Sequence, residues 1–258
     1  MQSVRWCFAP PWTGASGVAR TARYVLIIGF AMSNDFEKRL RIYNDEVFST
    51  TYSFFTYLYF NQVASTSNSY LIHLNKNPYF WKTVLHSLQL TFIISLGRIF
   101  DNAPNAYSVS NLINYCSLNI RIFSKQALRI RKRNGKKEPE LLGNDLSNAY
   151  EPESPDFRQI KKKLKELRRI YDPGLLNIRN KIFAHKIEVD KVVIENMFSQ
   201  NQIDTIEKLI DSLNDIYQIL WQLYHNGRKP TLGKPNIYYK QEIHNEVENV
   251  LQNLIKNT

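Results

Sequence analysis

The chain has little of the residues that characterise disulfide-rich, β-rich and metal-binding proteins. Its 258 residues include only two cysteines, Cys7 and Cys116, so at most one intramolecular disulfide could form. Nine glycines and ten prolines are too few for the frequent tight turns of a β-sandwich or barrel. The five histidines are scattered, and no Cys/His spacing typical of a metal site occurs. The sequence therefore predicts a helical protein with no resident metal or cofactor.

The composition indicates a basic globular protein. Hydrophobic residues make up 43% of the chain and aromatic residues 13%, which is enough apolar surface for a sizeable core. The 34 basic residues outnumber the 23 acidic ones and give a net charge of +11. A charge of this size and sign suits a polyanionic partner such as RNA, DNA or an anionic membrane surface. A net positive charge of this size also occurs in proteins in which its only effect is to maintain solubility.

Residues 1–31 differ from the rest, since they hold two of the four tryptophans and three basic residues with no acid. Their apolar run, residues 24–31, is shorter than the ~20 residues of a membrane span. The last three residues of the run, Gly29, Phe30 and Ala31, resemble a signal-peptide cleavage site. Residues 32–35 resemble a natural start with a polar N-cap. We therefore predict a leader over 1–31, either upstream translated sequence or a targeting peptide, with a functional extension as a third option. Residues 32–258 would form one domain.

Without the leader the net charge falls to +8 and Cys116 is the sole cysteine. No intramolecular disulfide is then possible, which suits a reducing compartment. We expect a cytoplasmic protein with no membrane span.

Apolar residues recur at helical spacing along most of the chain. The predicted helices cover about 35–64, 79–101, 110–137, 157–171, 173–185, 203–224 and 240–256. Pro78 suits the first turn of the second helix, Ser108 or Ser110 can cap the third, and Asp172 and Pro173 are predicted as the N-cap and first residue of the fifth. The apolar face of the first helix is predicted to consist of Phe36, Leu40, Tyr43, Val47 and Phe48.

The second helix is apolar nearly all round, which predicts a central helix buried on several sides. A breaker-rich stretch over 138–156 predicts a mobile loop. The fold class is all-α, an antiparallel helical bundle with an additional C-terminal helix.

One short helix carries the residues with the clearest chemical potential. Arg179 falls inside its apolar arc, and a guanidinium there is costly unless it faces a partner, a cleft or an anion. His185 lies at the edge of the arc, about 9 Å further along the helix axis. Histidine exchanges protons near neutral pH. A fixed cation beside a proton shuttle is typical of phosphate chemistry, although Arg-x5-His alone is a weak signal.

The fuller string is more specific. Residues 179–185, Arg-Asn-Lys-Ile-Phe-Ala-His, resemble the Arg-polar-Lys-x-x-Ala-His signature of HEPN domains, and look most like the AbiU-type branch named for phage abortive infection. Residues 96–101, Leu-Gly-Arg-Ile-Phe-Asp, are similar to that branch's Leu-x-Arg-Leu-x-Asp segment. The order of elements agrees over about 33–225. The chain departs from the family at Ile187 and Glu188, where members often carry Asp two residues after the histidine.

The resemblance implies a bundle of the HEPN type that dimerises with its motif helices facing each other. It also implies a metal-independent endoribonuclease in phage defence or a toxin–antitoxin system, with RNA as substrate and an antitoxin or companion defence protein as a possible partner. Arg179 would polarise the scissile phosphate, His185 would transfer protons and Asn180 would position the phosphate or the histidine. Arg98 and Asp101 would support these residues from the neighbouring helix.

Two lysine- and arginine-rich runs precede the motif helix, which favours an RNA-binding surface next to it. The candidate RNA-binding residues are Lys161, Lys162, Lys165, Arg168, Arg169 and Lys181.

Several alternatives remain open from the residues alone. His185 could be a structural histidine at a helix end, and Arg179 could form a buried salt bridge with a neighbouring helix. Arg98 and Asp101, three residues apart, could pair with each other. The whole domain could be a non-catalytic module that binds RNA, nucleotide or protein, or a purely structural dimerisation bundle.

Overall fold

A computed structural model describes the backbone of residues 17–133, 146–184, 200–233 and 238–256. Side chains are described over 31–133, 146–180, 202–233 and 239–256. These segments contain nine α-helices, one 3₁₀ turn and no strand, which confirms the all-α prediction. The helices are α1 Gly17–Ala64, α2 Asn68–Leu74, α3 Pro78–Ile99, α4 Val109–Leu118, α5 Lys125–Arg133, α6 Ser154–Tyr171, α7 Leu175–Ala184, α8 Gln200–Asn226 and α9 Tyr238–Lys256.

The first helix starts earlier than its sequence pattern predicts. Ser33 and Asn34 lie inside α1 instead of capping it, because the helix already runs from Gly17. Among the side chains of α1 that the structure describes, Phe36, Leu40, Tyr43 and Val47 are buried, whereas Phe48 is 54% exposed. The prediction of an N-cap at 32–35 was therefore wrong, and the predicted core face was correct except at Phe48.

The predicted central helix is buried only over its last eight residues. Pro78 occupies the first turn of α3, as its fixed φ angle favours, and the helix ends at Ile99. The buried residues of α3 all lie between Phe92 and Ile99. Its N-terminal turns are open, with Tyr79 84% exposed and Phe80 59% exposed. The prediction of a helix buried on several sides was therefore wrong for the first half of α3.

Helix α8, rather than α3, is deeply buried in the core. Its inward residues are fully buried along most of its length: Leu209, Ile210, Leu213, Ile216, Leu220, Leu223 and Tyr224. It packs against α1, α5 and α6. The Tyr43 hydroxyl of α1 donates a hydrogen bond to the Leu213 carbonyl at 2.9 Å. This bond gives the hydroxyl a partner deep in the core, where an unpaired one would be costly.

The predicted basic helix over 110–137 is interrupted. Helix α4 begins after Ser108, one of its two predicted caps, and ends at Leu118. A 3₁₀ turn, Ile120–Phe123, then turns two apolar side chains into the core before α5 begins at Lys125. Part of the predicted mobile loop, 138–145, lies outside the described residues, and 146–153 connects to α6.

The predicted additional C-terminal helix is present as α9, which packs against α1 and α2. Lys240 binds Glu207 and Asp211 of α8 through its ammonium group, at 3.2 Å and 2.9 Å. The Tyr239 hydroxyl also donates to Asp211, at 2.9 Å. These polar contacts hold the start of α9 against α8. Among the described helices, none has both the length and the apolar character needed to cross a membrane.

Candidate functional site

Helix α6 leads directly to the motif helix and fixes its position. Its N-terminus carries a capping box, in which Glu153 and Asp156 each accept a backbone N–H of the first turn. A buried face then runs from Phe157 to Tyr171. The helix ends at Tyr171, and Asp172, which has helical angles, is its C-cap. The prediction that Asp172 caps the start of the next helix was therefore wrong, since α7 begins at Leu175.

The side chain of Arg179 packs against Gly97 of α3, and we refer to this contact as the Arg179 seat. A Cβ placed on Gly97 would meet the Arg179 side chain at 2.6 Å from Nε and 2.7 Å from Cδ. Real Cβ atoms essentially never approach that closely, so any larger residue at position 97 would require the Arg179 side chain to shift. The contact joins α7 to α3, two helices that pack together. Gly97 is thus the residue that lets the Arg179 side chain lie flat across α3.

The charge of Arg179 has no counter-ion in the described part of the molecule. The side chain is only partly exposed, yet no hydrogen bond or ion pair joins it to another described residue. The alternative of a buried salt bridge to a neighbouring helix therefore finds no support there. A half-buried cation without a carboxylate partner is suited to an anionic ligand.

Tyr171, the last residue of α6, lies near Arg179. Its ring stacks on Phe100 with centroids 4.5 Å apart, and the residue is 2% exposed. Its buried hydroxyl has no hydrogen-bond partner among the residues described. Burial raises the pKa of Tyr171 to about 12, an effect that the nearby charge of Arg179 opposes and that Asp101 adds to. The hydroxyl therefore stays protonated near neutral pH and can donate a hydrogen bond.

Arg98 and Asp101 flank this seat without pairing with each other. Arg98 Nη1 lies 3.1 Å from Glu46 Oε1 of α1, and its side chain is 63% exposed. Asp101 Oδ1 accepts the Ala103 N–H at 2.8 Å and so stabilises the turn after α3. Asp101 still contributes negative charge near Tyr171. Both residues thus lie close to Arg179 in the fold. Their partners, Glu46 and the Ala103 N–H, are not the ones that their separation of three residues suggested.

The structure describes only part of the predicted catalytic set of residues. Asn180 is exposed on α7, next to Arg179 in the chain. His185 lies outside the described residues, and so does the side chain of Lys181. The geometry between Arg179 and His185 therefore stays a prediction.

The candidate RNA-binding residues on α6 separate into two groups. Lys162, Lys165 and Arg169 are exposed and Lys161 is partly exposed. Arg168 is engaged in the fold, since its Nη2 donates to the Phe100 carbonyl at 3.1 Å and to Ser110 Oγ at 3.0 Å. Sequence reasoning had grouped all of these as one basic face.

Sequence reasoning missed Gly97 and Tyr171 as parts of this site. A signal existed for Gly97, because a lone glycine inside an apolar helix often marks a close approach of another chain segment. The sequence pattern assigned no role to Tyr171. That its hydroxyl has no partner among the described residues depends on neighbours distant in the sequence. Within the described segments, no cluster of three or more metal-ligating side chains occurs.

A comparison with known protein families identifies the family of this chain. The family model for AbiU2 HEPN proteins matches residues 32–249, which is most of the chain. The chain belongs to the AbiU2 family of HEPN proteins. This confirms the resemblance read from residues 179–185 and 96–101, and it places the chain in a family related to abortive infection. Membership makes an RNase activity possible for this AbiU2-family chain. No curated protein and no solved structure matches it.

Proposed function

We propose that this chain is a metal-independent endoribonuclease that acts as a homodimer in phage defence or a toxin–antitoxin system. The observation that carries the proposal is Arg179, a half-buried cation held over Gly97 with no carboxylate partner among the described residues. Membership of the AbiU2 family supports the same function. RNA is the proposed substrate, and an antitoxin or companion defence protein would restrain or trigger the enzyme.

Arg179 binds and polarises the scissile phosphate. A guanidinium donates in a planar fork that matches two phosphate oxygens, and its charge is permanent. Partial burial strengthens its attraction for the negative charge that develops on the phosphate during reaction. Packing against Gly97 limits the freedom of the Arg179 stem, so little of it is lost when the phosphate binds.

The reaction uses the 2′-hydroxyl of the RNA as nucleophile. Its oxygen forms a bond to phosphorus while the bond from phosphorus to the 5′-oxygen breaks. The proton of the 2′-hydroxyl leaves and the 5′-oxygen gains one, so the products are a 2′,3′-cyclic phosphate and a 5′-hydroxyl. His185 transfers these protons, and Asn180 positions the phosphate or the histidine. DNA lacks the 2′-hydroxyl and would not be cut.

The test is cleavage of single-stranded RNA by purified full-length protein in excess EDTA. We expect cleavage to persist in EDTA, and Arg179→Ala and His185→Ala each to reduce its rate by about a hundredfold or more. Arg41→Ala is the matched control, because Arg41 is an exposed arginine on α1. Cleavage by both site variants at the parent rate would overturn the catalytic assignment.

Two other outcomes identify the alternative functions. Salt-sensitive RNA binding without cleavage, weakened by Arg179→Ala and unaffected by His185→Ala, would show a non-catalytic binding module. Loss of dimer in Arg179→Ala, with no RNA affinity in either form, would show a structural dimerisation bundle.

A further inference from the structure

Four exposed cations form a single row on α6, and one of them, Arg158, was not predicted to bind RNA. The row consists of Arg158, Lys162, Lys165 and Arg169, all exposed. Their spacings of four, three and four residues place them within about 60° of one another around the helix. The row extends about 16 Å along the helix axis. We refer to these four residues as the α6 row.

The α6 row has no carboxylate partner in the described part of the chain. None of its four side chains forms an ion pair with a described residue, whereas Lys163, off the row, lies 4.0 Å from Glu166. The opposite face of α6 is buried in the core: Phe157, Ile160, Leu164, Leu167 and Tyr171. The helix therefore presents the row outward in a fixed orientation, and leaves its charges available to an anionic partner.

The row ends close in the chain to the helix that carries Arg179. Arg169 lies near the C-terminal end of α6, six residues before α7 begins at Leu175. Arg158 marks the far end, near the capped start of the helix. A polyanion lying along the row would thus reach the end of α6 that is followed by α7 and Arg179.

We propose that the α6 row binds the backbone of single-stranded RNA and leads it to Arg179. The inference rests on the proposed function for the identity of RNA as substrate. A row one residue wide can follow one sugar–phosphate backbone, whereas a duplex presents two strands across a groove. An anionic membrane is a weaker fit, because interfacial helices insert an apolar face, and the apolar face of α6 is buried in the core.

The test measures binding separately from cleavage. The ligand is a 2′-O-methyl single-stranded oligonucleotide, which lacks the attacking hydroxyl and cannot be cut by the proposed route. The row variant carries Arg158→Gln, Lys162→Gln, Lys165→Gln and Arg169→Gln. The control variant carries the same charge change at exposed sites elsewhere: Arg41→Gln, Lys82→Gln, Arg121→Gln and Lys208→Gln. Circular dichroism and thermal melting verify that both variants fold.

Each phosphate contact on a single strand contributes about 0.7 to the slope of log affinity against log salt. We therefore expect the row variant to lower that slope by about 3 and to weaken binding at least about tenfold at 0.1 M salt. The control variant should keep most of the slope and affinity. Equal losses in the two folded variants, or no loss in the row variant, would overturn the proposal.

Further arms identify the ligand class and separate this proposal from the catalytic one. Row-dependent binding that is tighter for duplex RNA, or for vesicles containing an anionic phospholipid, would overturn the assignment to single-stranded RNA. If the parent binds through the row but does not cleave unmodified RNA, the row stands and the catalytic proposal fails. If the parent cleaves and the row variant binds and cleaves as well, the row fails alone.

Discussion

The side chain of Arg179 occupies the space that a Cβ at position 97 would need, with Nε 2.6 Å from that point. Two residues 82 positions apart are therefore coupled by shape. Glycine normally weakens a helix interior relative to alanine by about 0.5–1 kcal/mol. The contact explains why this position of α3 nevertheless carries glycine, because alanine would displace the guanidinium stem. Position 97 thus couples the 96–101 segment of α3 to the position of the Arg179 side chain on α7.

Gly97→Ala should separate activity from stability. The new methyl group would push Arg179 out of its seat, so we expect the cleavage rate to fall by about tenfold to a hundredfold. The free energy of unfolding should change by no more than about 1 kcal/mol, since alanine favours the helix. Rate measurements and urea unfolding on the same preparations check both expectations. Gly174→Ala is the control, because a Cβ there meets nothing within 4 Å. Full activity in Gly97→Ala would show that the seat does not position Arg179.

Tyr171→Phe should leave stability at neutral pH nearly unchanged. The hydroxyl has no partner among the described residues, and phenylalanine keeps the stack on Phe100. We expect a change in the free energy of unfolding within about 1 kcal/mol at pH 7. A larger loss, measured by urea unfolding, would reveal a partner for the hydroxyl that the described residues do not include. A reduced cleavage rate at unchanged stability would instead show that the hydroxyl donates to the substrate.

The same residue predicts a dependence on alkaline pH. The folded state raises the Tyr171 pKa from 10.0 to about 12, so the folded protein holds this proton more tightly than the unfolded chain. Its contribution to stability is complete below pH 10 and is lost as pH rises from 10 to 12. Tyr171→Phe should therefore lose stability less steeply than the parent across that window. Urea unfolding at pH 8, 10 and 11 measures the difference. Parallel pH curves for the two proteins would contradict the cause assigned to the shift.

Arg98→Ala should be nearly silent for stability. Its ion pair with Glu46 is at the surface, and exposed pairs contribute about 0.2–1 kcal/mol. A double-mutant cycle with Glu46→Ala, followed by urea unfolding, measures the coupling free energy directly. Coupling well above 1 kcal/mol would contradict this reading. If the single variant Arg98→Ala also slows cleavage more than tenfold, Arg98 contacts RNA in addition to Glu46.

Lys240→Met should loosen α9 without altering the Arg179 seat. The Lys240 ammonium group is largely buried between Glu207 and Asp211, and its removal leaves two carboxylates facing each other. We expect the free energy of unfolding to fall by about 2 kcal/mol. Lys256→Met, at the exposed end of α9, is the control and should change it by less than about 0.5 kcal/mol. Cleavage per folded molecule should match the parent, because α9 packs on α1 and α2. A loss of rate at full folding would link α9 to the site.

Local sequence patterns predicted where helices lie but did not predict which segments pack against them. Pro78 and Ser108 marked helix starts correctly, because capping and first-turn preferences depend on a few adjacent residues. The apolar run of α3 did not reveal that the first half of the helix is exposed to solvent. The hydrophobicity of a helix does not indicate which other segments pack against it. The same limit hid the difference between Arg168, which binds the Phe100 carbonyl, and Arg169, which is exposed.

The sequence by itself determined that this protein is all-helical, that it resembles the AbiU-type HEPN branch at 179–185 and 96–101, and that its net charge is positive. These properties follow from residue type and from spacing along one chain segment. Only the tertiary structure decided that α8 is deeply buried and that Gly97 receives Arg179. It also decided that four cations of α6 form one exposed row without ion pairs to the described residues. The physical reason is that burial, close approach and charge pairing depend on which distant segments pack together, and local periodicity does not encode that.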